Sequence, residues 1–129
     1  MELTIKDVSV FFDGVDHSEG VCVHPDGSVW SGGEAGQVYR IAADGSAKEE
    51  IANTGGFNLG LAFSPGAKWL AICDNGKKCI WKLDVETRKL EKFADLANNP
   101  IVIEKNPSLK GKWNTDFFQK FSISFDCLP

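Results

Sequence analysis

The sequence lacks the features that would place the chain in a membrane or on nucleic acid. No apolar run approaches the roughly 20 residues that a membrane-spanning helix needs. The net charge is −4, so the chain offers no basic surface for a nucleic-acid backbone. Residues 1–20 contain acidic side chains and lack the continuous apolar core of a signal peptide. We therefore expect a cytoplasmic protein whose partners include neither nucleic acid nor a membrane.

Metal-binding cysteine motifs are also lacking. The four cysteines, Cys22, Cys73, Cys79 and Cys127, form no C-x-x-C pair, and both histidines lie far from Cys73 and Cys79 in the sequence. We therefore expect no zinc site. The composition, 43% hydrophobic and 25% charged, is that of a globular protein rather than a small secreted scaffold. We interpret Cys22, Cys73 and Cys79 as small buried hydrophobes with free thiols, with a disulfide as the alternative.

The sequence does contain an internal repeat of about 40 residues, the feature that decides the fold of such a chain. Apolar strand-like segments and the turns after them recur at a nearly constant spacing. The two-residue drift in that spacing falls at turns, where insertions are tolerated. The aligned segments are 20–25 with 60–65, at an offset of 40, and then 38–41 with 80–83 and 51–52 with 93–94, both at an offset of 42.

Each copy of the repeat contains four short segments rich in Val, Ile, Phe and Trp, separated by Gly, Asn and Asp residues that suit tight turns. A four-stranded antiparallel unit of this period is typical of a β-propeller blade. The alternative is one β-sandwich with similar halves. We predict an all-β fold, a partial β-propeller with two four-stranded antiparallel blades and the start of a third. The predicted strands are 20–24, 28–31, 37–41 and 47–52 in the first copy and 59–63, 69–74, 79–84 and 90–95 in the second.

A third copy begins and then fades. Residues 100–103 fall where residues 60–63 stood, but the expected turn-rich pairing does not follow. Of the 13 glycines, only Gly111 lies within residues 100–129. We divide the chain into blades over residues 1–105 and an atypical tail over residues 106–129, which is either a degenerate edge blade or sequence foreign to the fold.

Residues 18–30 resemble the first-blade motif of the gluconolactonase-like (senescence marker protein) family. That motif is a Glu-Gly pair, an apolar strand, Pro-Asp-Gly and a second strand, present here from Glu19 to Trp30. Residues 60–65, together with Cys73-Asp74 and residues 80–84, are similar to later blades of this family and of strictosidine synthase-like propellers. The resemblance implies the N-terminal part of a six-bladed propeller. It also implies lactone hydrolysis with a divalent cation, usually Ca²⁺, at one mouth of the central channel.

The resemblance also implies the residues that would hold this cation. In the family a Glu, an Asn and an Asp bind it, each just before the innermost strand of a blade. Glu19 and Asn99 stand at that position in the first and third copies, so both are implied as ligands of Ca²⁺ or another divalent cation. The second copy has Leu59 there, with Asn58 one residue earlier, and Asn58 is expected either to contact substrate or to cap a turn. The family's Asp, which also serves as general base, has no counterpart, so no catalytic residue is assigned.

The other candidate residues have simpler interpretations. His17 and His24 are expected to be exposed polar side chains next to strands. Asp74, Asp84 and Asp95 lie at the ends of outer strands and are expected to form turns rather than to bind metal.

Three functions follow from these observations. The first is a fragment of a metal-dependent lactone hydrolase, inactive by itself, whose full-length relatives take a small lactone as substrate. The second is a non-catalytic propeller-repeat module or a truncated product, and the third is a strictosidine synthase-like propeller. Two blades leave open sheet edges, so we expect self-association.

Overall fold

The computed structural model of the chain describes residues 2–95. The predictions made for Asn99, Cys127, the third blade and residues 106–129 lie outside this range.

The described residues form two four-stranded antiparallel sheets, each a simple meander. The first sheet holds β1 (Val21–Val23), β2 (Val29–Gly32), β3 (Gln37–Ile41) and β4 (Lys48–Asn53), and the second holds β5 (Asn58–Phe63), β6 (Trp69–Asp74), β7 (Cys79–Asp84) and β8 (Leu90–Asp95). Every boundary agrees with the predicted strands to within one residue. The helix of the described range is a 3-10 turn at Ile5–Asp7, and no helix there is long and apolar enough to cross a bilayer.

Both faces of the second sheet are apolar. Side chains alternate along β6, so Leu70 and Ile72 point to one face while Trp69, Ala71 and Cys73 point to the other. Leu70, Ala71 and Ile72 are fully buried. A strand that is apolar on both sides needs cover on both faces of its sheet.

The two sheets pack face to face around a shared apolar core. Trp30, Val38 and Ile51 from the first sheet lie buried against Leu70, Ile72 and Leu83 from the second. At the edge of this core the Trp30 and Phe63 rings meet edge to face, with centroids 5.4 Å apart. The innermost strands, β1 and β5, contact each other directly, and residues 54–57 carry the chain from the outermost strand of one sheet to the innermost strand of the next.

The close approach of the innermost strands depends on a glycine. A Cβ atom on Gly20 would lie 2.0 Å from the carbonyl oxygen of Leu59 and 2.7 Å from Cδ1 of Leu61. No side chain fits in that space, and a backbone carbonyl does not move as easily as the end of a side chain. Glycine at position 20 therefore sets how closely β1 and β5 lie together.

The three cysteines within the described range behave as predicted. All have free thiols; Cys73 and Cys79 are buried and Cys22 is partly buried. Burial raises the pKa of Cys22 and of Cys73 to about 12, so both thiols stay protonated at neutral pH. They serve as small apolar side chains of the sheets.

We expect the substitution Gly20→Ala to lower the free energy of unfolding by roughly 1–3 kcal/mol, because the added methyl group forces the two innermost strands apart. Urea denaturation of the full chain, followed by circular dichroism, measures the change. The matched control is Gly66→Asn: Gly66 has φ +78° with no atom within 4 Å of an added Cβ, and Asn tolerates that backbone conformation. Equal losses in the two variants would contradict the packing argument.

Candidate functional site

Four segments meet where the chain enters the innermost strands: residues 16–20, 33–36, 54–57 and 75–78, which we call the entrance loops. They are tied together by backbone hydrogen bonds. Thr54 N–H donates to the Gly36 carbonyl at 2.8 Å, and Asn75 N–H donates to the Phe57 carbonyl at 2.8 Å. Residues that precede β5 are therefore held beside the turns that follow β2 and β6, and the Ala35 N–H, donating to Asp16 Oδ2 at 3.3 Å, holds the segment before β1 beside the turn after β2.

Glu19 lies on the entrance loops two residues before β1, as expected from its place in the repeat. Its side chain is exposed. No residue of the described range forms a hydrogen bond or an ion pair with its carboxylate. The carboxylate is available to a ligand from solution, and metal binding by Glu19 stays a prediction.

Asn58 is fully buried, in contrast to Glu19. Its Oδ1 accepts a hydrogen bond from Thr54 Oγ1 at 2.9 Å, and its Nδ2 donates to the Gln37 carbonyl at 3.1 Å. The amide thus caps the turn before β5 and links the second sheet to β3 of the first. These contacts stabilise the fold, and substrate binding by Asn58 stays a prediction.

Asp74 organises the entrance loops of the second sheet, a role larger than the turn formation expected from its sequence position. Its buried carboxylate accepts hydrogen bonds from the Phe57 and Lys77 N–H groups through Oδ1, each at 2.9 Å. Trp81 Nε1 donates to Oδ2 at 3.0 Å. A Cβ atom on Gly56 would lie about 2 Å from both carboxylate oxygens, so only glycine fits there.

The pKa of Asp74 reflects two opposing effects. Burial alone raises it, but the N–H donors of Lys77, Phe57 and Trp81 outweigh burial and hold it below the ordinary value of 3.8. The register of the repeat aligns Gly32 with Cys73, so Gly33 stands where the second copy has Asp74. Comparing the two copies at this position is the sequence signal that would have singled out Asp74.

The predictions for Asp84 and His17 are confirmed. Asp84 forms a turn as predicted, since its Oδ1 accepts from the Thr87 N–H at 2.7 Å. His17 is exposed as predicted, and its Nδ1 lies 3.0 Å from Asp16 Oδ1 and 3.6 Å from Glu34 Oε2. The hydrogen bond with Asp16 and the charge of Glu34 raise the pKa of His17.

The prediction that His24 is exposed is wrong. The ring of His24 is half-buried and packs edge-on against Phe63, with centroids 5.1 Å apart. His24 begins the turn that contains Pro25, and its ring contacts the neighbouring sheet. This contact joins the two copies of the repeat, so the local sequence around His24 could not predict it.

The described residues supply one candidate metal ligand rather than a complete metal site. Within residues 2–95 no three His, Cys, Asp or Glu side chains are grouped so that they could hold an ion. Ca²⁺ takes six to eight oxygen ligands, so Glu19 would need oxygens from outside this range or from water.

We expect Asp74→Asn to lower the free energy of unfolding by about 1–3 kcal/mol at pH 7, because one oxygen that accepts buried N–H groups is replaced by a donor. The pKa of Asp74 is lower in the folded state than its unfolded value, so its carboxylate stabilises the fold above about pH 4 and loses this effect as pH falls further. The difference between wild type and variant in urea denaturation should therefore shrink at acidic pH. Asp84→Asn, at an exposed turn, is the control for a smaller effect, and a deficit independent of pH would contradict the argument.

Comparison with known proteins supports the fold and leaves the family open. No family model matches the sequence, and no curated protein matches it. The chain is similar to a solved streptogramin B lyase, with a TM-score of 0.51 and 18% identity over 62% of this chain and 27% of that one. It is also similar to a catalytically inactive virginiamycin B lyase from Staphylococcus aureus with quinupristin, with a TM-score of 0.49 and 20% identity over 60% of this chain and 26% of that one.

A third solved structure, an auxiliary nutrient binding protein from Bacteroides thetaiotaomicron, has a TM-score of 0.45 and 21% identity over 60% of this chain and 20% of that one. The match thus spans about a quarter of the length of the two lyases. At these identities the likeness shows the fold alone. The streptogramin B lyase is a β-propeller, and together with the two meander sheets it confirms the predicted fold class: an all-β partial propeller in which each sheet is one blade.

Proposed function

We propose that this chain contributes two blades and one cation ligand, Glu19, to a β-propeller that hydrolyses lactones with Ca²⁺ or another divalent cation. The observation that carries the proposal is the exposed carboxylate of Glu19, which has no partner in the described range and stands at the entry to an innermost strand. The resemblance of residues 18–30 to the gluconolactonase-like family supports the choice of reaction.

The backbone on both sides of Glu19 is held in place. Ser18 Oγ lies 2.5 Å from Ser31 Oγ, and the carbonyl of Gly20 accepts a hydrogen bond from the Gly32 N–H at 3.4 Å. A ligand fixed on both sides loses less conformational entropy when it binds an ion than one on a loose loop. Both anchoring partners, Ser31 and Gly32, belong to β2, and Gly20 also lies against Leu59 of the second sheet.

A bound divalent cation would polarise the lactone carbonyl and stabilise the oxyanion that develops on it. The role of this chain in that chemistry is to present the Glu19 carboxylate and to hold it in place. The described residues offer no counterpart of the base that would activate water. The proposal therefore assigns this chain a share of a cation site rather than a complete active site.

A second candidate is a non-catalytic propeller-repeat module that binds a partner through its sheets. The observation that favours it is the exposure of Val21 and Val23, two apolar side chains on the innermost strand. Apolar side chains exposed together on a sheet mark a surface that another protein surface covers.

We expect the full chain to bind Ca²⁺ weakly, with a dissociation constant on the order of 10⁻³ M, because few protein oxygens reach the ion. Glu19→Gln should weaken binding further, beyond detection by isothermal titration calorimetry, since the variant loses the charged ligand. Glu34→Gln is the matched control: it removes an exposed carboxylate from the same entrance loops and should bind as wild type does. Equal binding by wild type and Glu19→Gln would exclude Glu19 as a ligand.

We also expect no measurable hydrolysis of gluconolactone by the isolated chain with added Ca²⁺, because the described residues supply neither a full ligand set nor a base. Turnover is followed by the release of acid at constant pH. Robust turnover by a monomeric sample would overturn the proposal that the chain holds only part of the site.

A further inference from the structure

The two copies of the repeat place equivalent side chains in different surroundings. We call the face of the first sheet that bears Val21 and Val23 the leading face. We call the face of the second sheet that bears Ala62 and Phe93 the trailing face. Both point away from the core that the two sheets share.

The innermost strand of the leading face is open to solvent, although Tyr39 and Ile41 farther across the same face are buried. Val21 and Val23 align with Leu61 and Phe63 at the offset of 40. Leu61 and Phe63 pack into the shared core against the first sheet. Val21 and Val23 are 60% and 64% exposed. The same position of the repeat is thus covered by a neighbouring blade in one copy and open to solvent in the other.

The trailing face also carries a side chain that is more exposed than its equivalent in the other copy. Phe93 aligns with Ile51 at the offset of 42. Ile51 is 9% exposed because the second sheet covers it, whereas Phe93 is 38% exposed. Ala71 and Ile80, at the centre of this face, are already buried. The open parts are Phe93 on the outermost strand and the half-buried Ala62 on the innermost strand.

We propose that the leading face of one copy of this chain docks on the trailing face of a second copy, in the same face-to-face packing that joins the two sheets of one chain. The shared core provides the pattern for this contact. In it, the side chains equivalent to Val21 and Val23 pack against a blade face that carries the equivalent of Phe93. This inference concerns assembly and goes beyond the proposed cation site, since it involves neither Glu19 nor a metal.

The two docking faces are different, so the interface is heterologous and leaves one free face at each end. Association therefore continues from dimers to larger species until a ring closes. It also joins sheet faces, a different mode from the pairing of open sheet edges expected from the sequence.

The test uses the full chain and two variants that each place positive charge on one face. The leading-face variant carries Val21→Lys and Val23→Lys, and the trailing-face variant carries Phe93→Lys. All three side chains are already partly exposed, so the sheets should still fold, which circular dichroism checks. Sedimentation velocity across a dilution series should show wild-type species larger than dimers and at least about tenfold weaker association of each variant.

Mixing the two variants gives the decisive measurement. Each retains one intact face, so an equimolar mixture should form a one-to-one dimer and nothing larger. Ile5→Lys is the matched control, because Ile5 is an exposed apolar residue outside both sheets, and it should associate as wild type does. Should the leading-face variant fail to fold, Val21→Thr with Val23→Thr keeps the β-branched shape and takes its place.

Three results would overturn the proposal. A wild-type chain that stays monomeric at every concentration would show that no second copy binds, as when other residues of the same chain or a different protein cover these faces. A wild-type dimer that survives Phe93→Lys would show a symmetric contact instead. A mixture of the two folded variants that stays monomeric would show that the two faces do not bind each other.

Discussion

The structure depends on one packing constraint: each sheet is apolar on both of its faces. A sheet with a single apolar face completes its core with one partner layer, whereas a sheet with two needs a layer on each side. Ile72 and Leu83 meet that need on one side of the second sheet by packing against Trp30 and Val38 of the first. A repeated blade meets this requirement, because each copy covers one face of the next with the same kinds of side chain.

The strands could be predicted from the sequence because turn chemistry and alternation are local. The Pro25-Asp26-Gly27 turn shows why: Gly27 has φ +87°, and Ser28 donates through its backbone N–H to Asp26 Oδ1 at 2.8 Å. Such a turn needs no information from elsewhere in the chain. The repeat then relates the first four strands to the next four, which is enough to predict two meander sheets and their boundaries.

The site was less predictable because its residues are defined by contacts between distant segments. Asp74 looks like a turn residue in isolation, yet its carboxylate joins Phe57, Lys77 and Trp81. For Asn58 the sequence leaves substrate contact and turn capping equally open, and in the structure both ends of its amide are bonded within the protein. Polarity and position do not reveal whether a side chain faces solvent or the adjacent blade, and that orientation separates Asn58 from Glu19.

The same repeat explains why two blades hold only one candidate ligand. Leu59 stands at the position equivalent to Glu19, and it is buried where β5 meets β1. An apolar side chain there offers no oxygen to a cation. Within the described range, the candidate ligand therefore lies in the first blade, and the second blade has a buried leucine at the equivalent position. A cation site around Glu19 would therefore depend on blades beyond this pair, and the uncovered faces of the two sheets are the surfaces on which such blades would pack.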